Sequence, residues 1–348
     1  MPFFSISVPT YNRKELLKQT LKSILDQSFT DYEILVGNDF IQEKLSGELL
    51  GIYDSRIHFI NNMQNIGEAG NMNLLLEKAQ GKYFTWLSDD DIYAPNFLEE
   101  VHSAILNNNM LKCVYTSHGW IYGTIYPRMR KRYRGRLFNY SGKEFVKQLF
   151  GGKIKTAGCY GVFELNTIKQ IGGITPLSDT PISIHSEFLL LVQTSLLDNV
   201  VYIDAPLFFS RDYKGTFSGS TIEFELYRRA GKNLLHETLK VICVPNLIDE
   251  FQIILVGVTK IIIKYFIMRF VGREKNIHHD QIETFIKELR VLLDTLRGNV
   301  QYDLALESWN TLINKRWTVT IMLAKMKWNS PPIINNCIKK FRSIISRL

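Results

Sequence analysis

The stretch Gly81-Lys82-Tyr83-Phe84-Thr85-Trp86-Leu87-Ser88-Asp89-Asp90-Asp91-Ile92-Tyr93-Ala94-Pro95 decides how the rest of the chain is read. Strand-favouring residues from Tyr83 to Leu87 end abruptly in three consecutive carboxylates, and Pro95 then opens a new helix. Three like charges side by side are costly unless something positive sits among them. Carboxylates at the carboxyl end of a buried strand face the crevice in which open α/β sheets bind ligands. Hard cations such as Mg²⁺ or Mn²⁺ take oxygen ligands, and Mg²⁺ is usually held by one or two carboxylates plus substrate phosphates. The stretch reads as a metal site gripping a diphosphate, or else as an acidic loop capping the next helix, where Asp is favourable anyway.

The segments upstream supply the sheet. Phe4 to Val8 alternates as a strand, and Pro9-Thr10-Tyr11-Asn12-Arg13 is a turn with Asn12 as cap for the following helix. That helix has an apolar face of Leu17, Leu21, Ile24 and Leu25. Tyr32 to Val36 is a second strand closing at Asn38-Asp39, and Ile57 to Ile60 a third. After Asn62-Met63-Gln64-Asn65-Ile66-Gly67 comes a helix from Glu68 to Ala79, stopped near Gly81. This strand–helix–strand rhythm predicts an α/β fold with a parallel sheet and crossover helices.

Composition narrows the class. A chain of 348 residues, 45% hydrophobic, is long enough for one large domain and a smaller one. Cys113, Cys159, Cys243 and Cys337 are far apart and form no CxxC pair, which argues against a zinc site or disulfide framework and fits a reducing compartment. The amino terminus lacks a basic region and breaks at Pro9, so it reads as a first strand, not a signal peptide. The net charge of +8 is concentrated at the end: beyond Glu307 there are eight Lys or Arg and no acidic residue. Such asymmetry points to a polyanion, either a membrane surface or nucleic acid.

Val8-Pro9-Thr10-Tyr11-Asn12-Arg13, the spacing to Asp39, Asn65-x-Gly67-x-x-x-Asn71-x-Asn73 and Leu87-Ser88-Asp89-Asp90-Asp91-x-x-x-Pro95 together resemble family 2 glycosyltransferases of the GT-A fold. Weaker agreement continues to Ser220. The resemblance implies a Rossmann-like, mostly parallel sheet flanked by helices, and a nucleotide-diphospho sugar donor, with a UDP-sugar favoured. It implies that Pro9, Thr10, Tyr11, Asn12 and Arg13 line the nucleotide, with Tyr11 stacking on the base. Asp39 would hydrogen-bond the base, and Asn65, Gly67, Asn71 and Asn73 would form a polar loop and helix start facing the nucleotide. Simple helix capping is the alternative for those four. Asp89 would meet the ribose, with Ser88 beside it among the nucleotide-sugar contacts. Asp90 would be the ligand of Mn²⁺ or Mg²⁺, with Asp91 completing the metal site or capping the helix after Pro95. Two positions depart from the family pattern: Asn38 where an Asp is usual, and Met72 where an Arg is usual.

An inverting transfer also needs a base on the far face of the sugar. The resemblance places it at Glu187, in Ser186-Glu187-Phe188-Leu189, with Asp179 as fallback and His185 as a further phosphate or metal contact. Arg211 would meet the diphosphate beside a loop at Gly215–Ser220. Between Arg128 and Arg136 six Arg or Lys crowd a tyrosine-rich segment, a recognition element for a lipid-diphosphate acceptor or else a solvated basic loop.

After Ile222 the pattern turns helical. Phe251 to Val271 is nearly all apolar, but Lys260, Lys264 and Arg269 oppose a membrane span and fit an interfacial or packed helix. Ile333, Ile334, Cys337, Ile338, Phe341, Ile344, Ile345 and Leu348 share one helical face, with Lys339, Lys340, Arg342 and Arg347 on or beside the other. This fits an in-plane anchor on an anionic membrane, or a terminal helix packed on the domain or on a partner.

The expectation is a catalytic domain over 1–222, with a nucleotide-sugar half to about 118 and an acceptor half from 119, followed by a helical region over 223–348. It would be a cytoplasmic, membrane-surface, metal-dependent inverting glycosyltransferase with a glycan or lipid-linked acceptor and no nucleic-acid partner. A nucleotidyltransferase is the enzymatic rival, and it lacks its usual Gly-rich, Lys-bearing phosphate loop here. A non-catalytic nucleotide- or membrane-binding protein is the other.

Overall fold

Gly81, two residues ahead of a strand that begins at Tyr83, has no room for a side chain: a Cβ there would lie 2.5 Å from Ser5 N and 2.7 Å from the Phe4 carbonyl carbon. Around it a buried polar knot ties three strand starts together. The Gly81 N–H donates to Ser5 Oγ (2.7 Å), while Ser5 Oγ and the Gln80 N–H donate to Glu33 Oε1 (2.5 and 2.8 Å). The computed structural model describes residues 1–127, 131–156, 158, 160–213, 223–243, 247–266, 279–295, 303, 306–307 and 309–311. The expected loop at Gly215–Ser220, the positions Arg128 and Arg130, and the helix at 333–348 lie outside these residues.

The chain falls into two units, Met1–Val241 and Ile242–Leu348. In the first unit the strands β1 (Phe4–Thr10), β2 (Tyr32–Asn38), β3 (Ile57–Asn61) and β4 (Tyr83–Trp86) lie in the order β3-β2-β1-β4, all parallel. The connecting helices are α1 (Lys14–Leu25), the short α2 (Gly47–Leu50) and α3 (Gly67–Lys78). Winding runs outward from β1 to β3 and then returns to the other side of β1, so the topological switch point lies between β1 and β4.

The sheet continues through β5 (Ile92–Tyr93), β6 (Cys113–Tyr122), β7 (Leu137–Tyr140), β8 (Val162–Glu164) and β9 (Val200–Asp212). Beyond β4 the order is β8-β6-β9-β5, with β7 also on β9. Here only β6–β9 is parallel; β5, β7 and β8 pair antiparallel. The sheet is therefore parallel on the β1–β4 side and mixed on the other. Helices α4 (Phe97–Leu106), α5 (Gly142–Phe150), α6 (Leu165–Ile171) and α7 (Ser186–Gln193) connect it, and α8 (Phe224–Ile242) follows. The first unit takes in α8 as far as Val241.

One apolar cluster joins Phe4, Ile6 and Val8 of β1 to Ile34 and Val36 of β2, Leu17, Leu21 and Ile24 of α1, and Phe97, Leu98 and Val101 of α4. Each such side chain, fully buried, stabilises by about 1.5–3 kcal/mol, so the three from α1 suffice to dock that helix. Two local expectations are corrected. The cap position of α1 is held by Arg13 with no side-chain cap, while Asn12 takes a positive φ of 53° in the turn. The acidic cluster does not cap the next helix either, because β5 intervenes and α4 begins at Phe97, with Asn96 at its cap position.

In the second unit α9 (Ile248–Phe266) buries Phe251, Ile254, Leu255, Val258 and Ile262, and α10 (His279–Asp294) buries Phe285, Ile286, Leu289 and Leu293. Trp309 Nε1 donates to Thr259 Oγ1 at 2.6 Å. Of the two readings for the apolar run from Phe251, the described part is packed. Among the described residues no helix is long and apolar enough to cross a membrane.

Candidate active site

The carboxyl ends of β1 and β4 meet at the switch point and deliver Thr10–Arg13 against Asp89–Asp91. Thr10 Oγ1 donates to Asp89 Oδ2 at 2.6 Å. Arg13 Nη1 donates to Asp89 Oδ1 (3.0 Å) and Asp90 Oδ2 (3.2 Å), and the Tyr213 hydroxyl reaches Asp90 Oδ2 at 3.5 Å. All three aspartates are buried. Burial pushes the Asp89 carboxyl up to about 6, with Arg13 pulling it down and Asp90 adding to the rise. Burial, and after it the charge of Asp90, pushes Asp91 well above the carboxylate range, against the Arg211 N–H. Burial works against the Arg13 charge too, but Asp89 and Asp90 outweigh it and hold the guanidinium above its ordinary value. Arg13 and Arg211 both act on the cluster, and burial with mutual repulsion still holds Asp89 and Asp91 above their ordinary values.

Arg211 holds the cluster in place. Its backbone N–H donates to Asp91 Oδ1 (2.8 Å) and its Nε to the Asp90 carbonyl (2.7 Å). Nη1 donates to the carbonyls of Gly123 and Ile125 (3.0 and 3.3 Å), and Nη2 to Gln19 Oε1 (3.0 Å). The side chain is buried, and four of its five N–H donors already meet protein oxygens. These bonds tie it to the acidic loop, to Gly123 and Ile125, and to α1 through Gln19.

The other expected nucleotide residues divide into two groups. Tyr11 is 50% exposed at the crevice mouth, its ring edge-on to Phe40 at 5.4 Å, which leaves it placed for stacking; Asn12 is exposed beside it, and Ser88 is half-buried. Pro9 lies in the β1–β2 ladder opposite Gly37. Asp39, by contrast, is buried, and its carboxylate accepts from the N–H groups of Ile66 (3.0 Å) and Gly67 (2.8 Å) and from Asn62 Nδ2 (2.9 Å). It anchors the start of α3. Asn65 Oδ1 accepts from the same Gly67 N–H (2.9 Å), and Asn71 Nδ2 donates to the Gly37 carbonyl (2.8 Å). Asn73 pairs reciprocally with the Ile174 backbone (2.8 and 2.9 Å). These polar groups knit β2, α3 and the loop before α7 together. Asn38, at the family's usual Asp position, binds the carbonyls of Phe40 and Glu43.

Glu187 lies in the first turn of α7, close to Gly158, where a Cβ would sit 3.1–3.2 Å from the Glu187 side chain. Burial pushes its carboxyl up to about 7; its own backbone N–H opposes this and Glu68 adds to the rise. Glu68 is exposed as a residue, yet desolvation around its carboxyl raises it first, with the Ser183 N–H and Arg13 opposing and Asp90 adding. Glu68 therefore shares the electrostatic space of both Asp90 and Glu187. Asp179, the fallback base, has its side chain 98% exposed and lies 4.0 Å from Arg229. His185 is buried with its ring against Phe188 and Tyr227 and occupies the left-handed region at φ 67°. Glu68, Tyr213 and Gly158 were not foreseen; only Glu68 had a signal, as the residue after Gly67.

A divalent cation fits the donor set on one condition. Among the described residues no group of three His, Cys, Asp or Glu converges as a ready-made site. One or two carboxylates suffice where phosphate oxygens complete the shell, and Asp90 in an overloaded anionic pocket offers that.

Residues 5–165 match the family model described as Glycosyl transferase family 2. A glycosyl transferase of Escherichia coli (strain K12) named for colanic acid biosynthesis is 30% identical over 183 residues, covering 47% of this chain and 65% of the relative. The Escherichia coli protein named UDP-Glc:alpha-D-GlcNAc-diphosphoundecaprenol beta-1,3-glucosyltransferase WfgD is 34% identical, covering 30% of this chain and 42% of its own. The Campylobacter jejuni GalNAc(5)-diNAcBac-PP-undecaprenol beta-1,3-glucosyltransferase is 39% identical, covering 26% and 30%. The chain thus spans less than two thirds of the length of these relatives. The crystal structure of S. aureus TarS 1-349 in complex with UDP-GlcNAc superposes with a TM-score of 0.62 at 15% identity, covering 83% of this chain and 80% of that one, a likeness of fold. With the switch-point geometry and the matched segment in agreement, residues 5–165 belong to glycosyl transferase family 2 and the fold is of the GT-A class.

Proposed function

We propose that the chain transfers a sugar from a nucleotide-diphospho sugar to a hydroxyl of a lipid-linked glycan, with inversion at the anomeric carbon. The observation that carries this reading is the pairing of two unlike carboxylate sites on one crevice: a cation-deficient cluster at the switch point, and Glu187 with its carboxyl pushed up to about 7. Tyr11 stacks on the base and Asp89 meets the ribose. Asp90 holds Mn²⁺ or Mg²⁺, which when bound offsets the charge on the diphosphate. Arg13 supplies a second cation beside the same oxygens. Glu187 takes the proton of the acceptor hydroxyl as its oxygen bonds to the anomeric carbon and the bond to the diphosphate breaks, releasing the nucleoside diphosphate. A carboxyl near 7 is well matched to that task at neutral pH.

Two relatives named for undecaprenol-diphosphate acceptors make a lipid diphosphate the acceptor of choice, and the name of one makes UDP-glucose the first donor to test. Such an acceptor would place the enzyme at the inner face of a membrane, with the basic, apolar-striped segment over 333–348 as anchor. Release of UDP from a panel of UDP-sugars, with Mn²⁺ and an undecaprenyl-diphosphate-linked glycan, tests the reading. Acceptor-dependent UDP release supports it; none with any donor sinks it.

A further inference from the structure

Helix α3 starts against a segment more than a hundred residues away in the chain. The Glu68 N–H donates to the Pro181 carbonyl at 2.6 Å, and Glu68 Oε2 accepts from the Ser183 N–H at 2.9 Å. Gly67, at φ 76°, lies so close that a Cβ would sit 3.0 Å from both Pro181 Cα and its oxygen. Further along α3, Asn73 makes its reciprocal pair with Ile174. The strip from Ile174 to Ser183 is thus tied to α3 at both ends. It runs directly into α7, whose second residue is Glu187. Little slack remains between the tie at Ser183 and that carboxylate. Ile184 and His185 are buried, and His185 is packed on Phe188 and Tyr227. The same start of α3 is fastened from the other side of the chain by Asp39, which takes the Ile66 and Gly67 N–H groups. A path of hydrogen bonds therefore runs from the end of β2, through Gly67 and Glu68, to the loop that carries the base.

We propose that Glu68 is a positioning residue: its carboxylate fixes the Ser183 backbone and thereby the placement of Glu187 against the donor. This deepens the reading of Glu187 as base and rests on it. Misplacing a reacting group by about 1 Å costs on the order of 10²-fold in rate without touching donor affinity. The tie needs an oxygen acceptor of the right reach, not a charge, so a glutamine serves and an alanine does not.

The test compares Glu68→Gln and Glu68→Ala with wild type by steady-state kinetics and by hydrogen exchange over residues 178–190. Glu68→Ala is expected to lower kcat by about 10²-fold, with donor KM within about threefold of wild type. Glu68→Gln should keep kcat within about threefold. Exchange at Ser183 should quicken in the alanine variant alone. Wild-type kcat in Glu68→Ala overturns the proposal. So does a glutamine variant as slow as the alanine one, or a loss that appears in donor KM instead. The exchange arm needs no sugar transfer, so it judges the tie even if the transferase reading fails: unchanged Ser183 protection in Glu68→Ala removes the tie itself.

Discussion

The crevice has two acidic walls, and they differ in what they lack. At the end of β4 three buried aspartates have two cations beside them, Arg13 at Asp89 and Asp90 and Arg211 at Asp90 and Asp91, and burial with mutual repulsion still pushes Asp89 up to about 6 and Asp91 well above its ordinary value. That wall gains from any further cation. On α7, burial and the Glu68 charge push Glu187 up to about 7, with no cation among the groups that shift it. That wall gains from a proton. The same functional group is turned into a cation seat in one place and a proton acceptor in the other by what is packed beside it.

The largest effect on the β4 wall is expected from Asp90→Asn. It should lower transfer by about 10²–10³-fold, the usual loss when a charge-stabilising group is removed. Its melting temperature should stay near wild type, because only one member of an over-charged cluster becomes neutral. Wild-type transfer in this variant would show that the cluster seats nothing the reaction needs.

Next comes Arg211→Ala, a test of which charges are scaffold. It strips donors from the Asp90, Gly123 and Ile125 carbonyls and from Gln19, all at the buried side of the cluster. Loss of about 3 kcal/mol is expected by urea denaturation, the scale for breaking a buried charge from its partners. A stable variant defective only in donor binding would instead place Arg211 on the diphosphate.

The pH dependence probes the α7 wall alone. A base must be deprotonated to act, so kcat should fall about tenfold per pH unit below the folded value of about 7 and level off above it. Stability moves the other way. A carboxyl raised on folding binds its proton more tightly in the native state, so its contribution is fully present below its unfolded value of 4.5 and is lost as pH rises through about 7. In Glu187→Asp, one methylene shorter, the limb should move; an unmoved limb would assign it to another group.

The smallest effect is expected from Gly158→Ala. Its Cβ would press on Glu187 at 3.1–3.2 Å, and the backbone there has φ 35°. A loss of about tenfold in kcat with donor affinity kept would confirm that this wall is sensitive to sub-ångström displacement.

Much of this was legible in the residues themselves. Alternation and apolar spacing placed β1 to β4, α1 and α3 within a residue or two, because each buries one face in the same core. The acidic run marked the switch point for the same reason, since a buried strand ending in carboxylates has few other uses. The second half of the sheet was less readable: β5 and β8 are two and three residues long and are held by neighbours distant in sequence, which no local pattern records. Side-chain partners were less readable for a similar reason. Asp39 and Asn73 were expected to face the nucleotide, and the backbone groups they also bind, at Ile66, Gly67 and Ile174, lie 27 or more residues away. Arg211 was expected at the diphosphate, and only the folded path of Gly123–Ile125 reveals why its donors turn inward.

The most direct test of the two-wall account is one paired measurement on Glu187→Gln: donor affinity by calorimetry with Mn²⁺, and turnover with a lipid-linked acceptor. The account predicts wild-type affinity for the nucleotide sugar and turnover lowered by about 10²–10⁴-fold. Near wild-type turnover, or a donor affinity lost together with turnover, would contradict it.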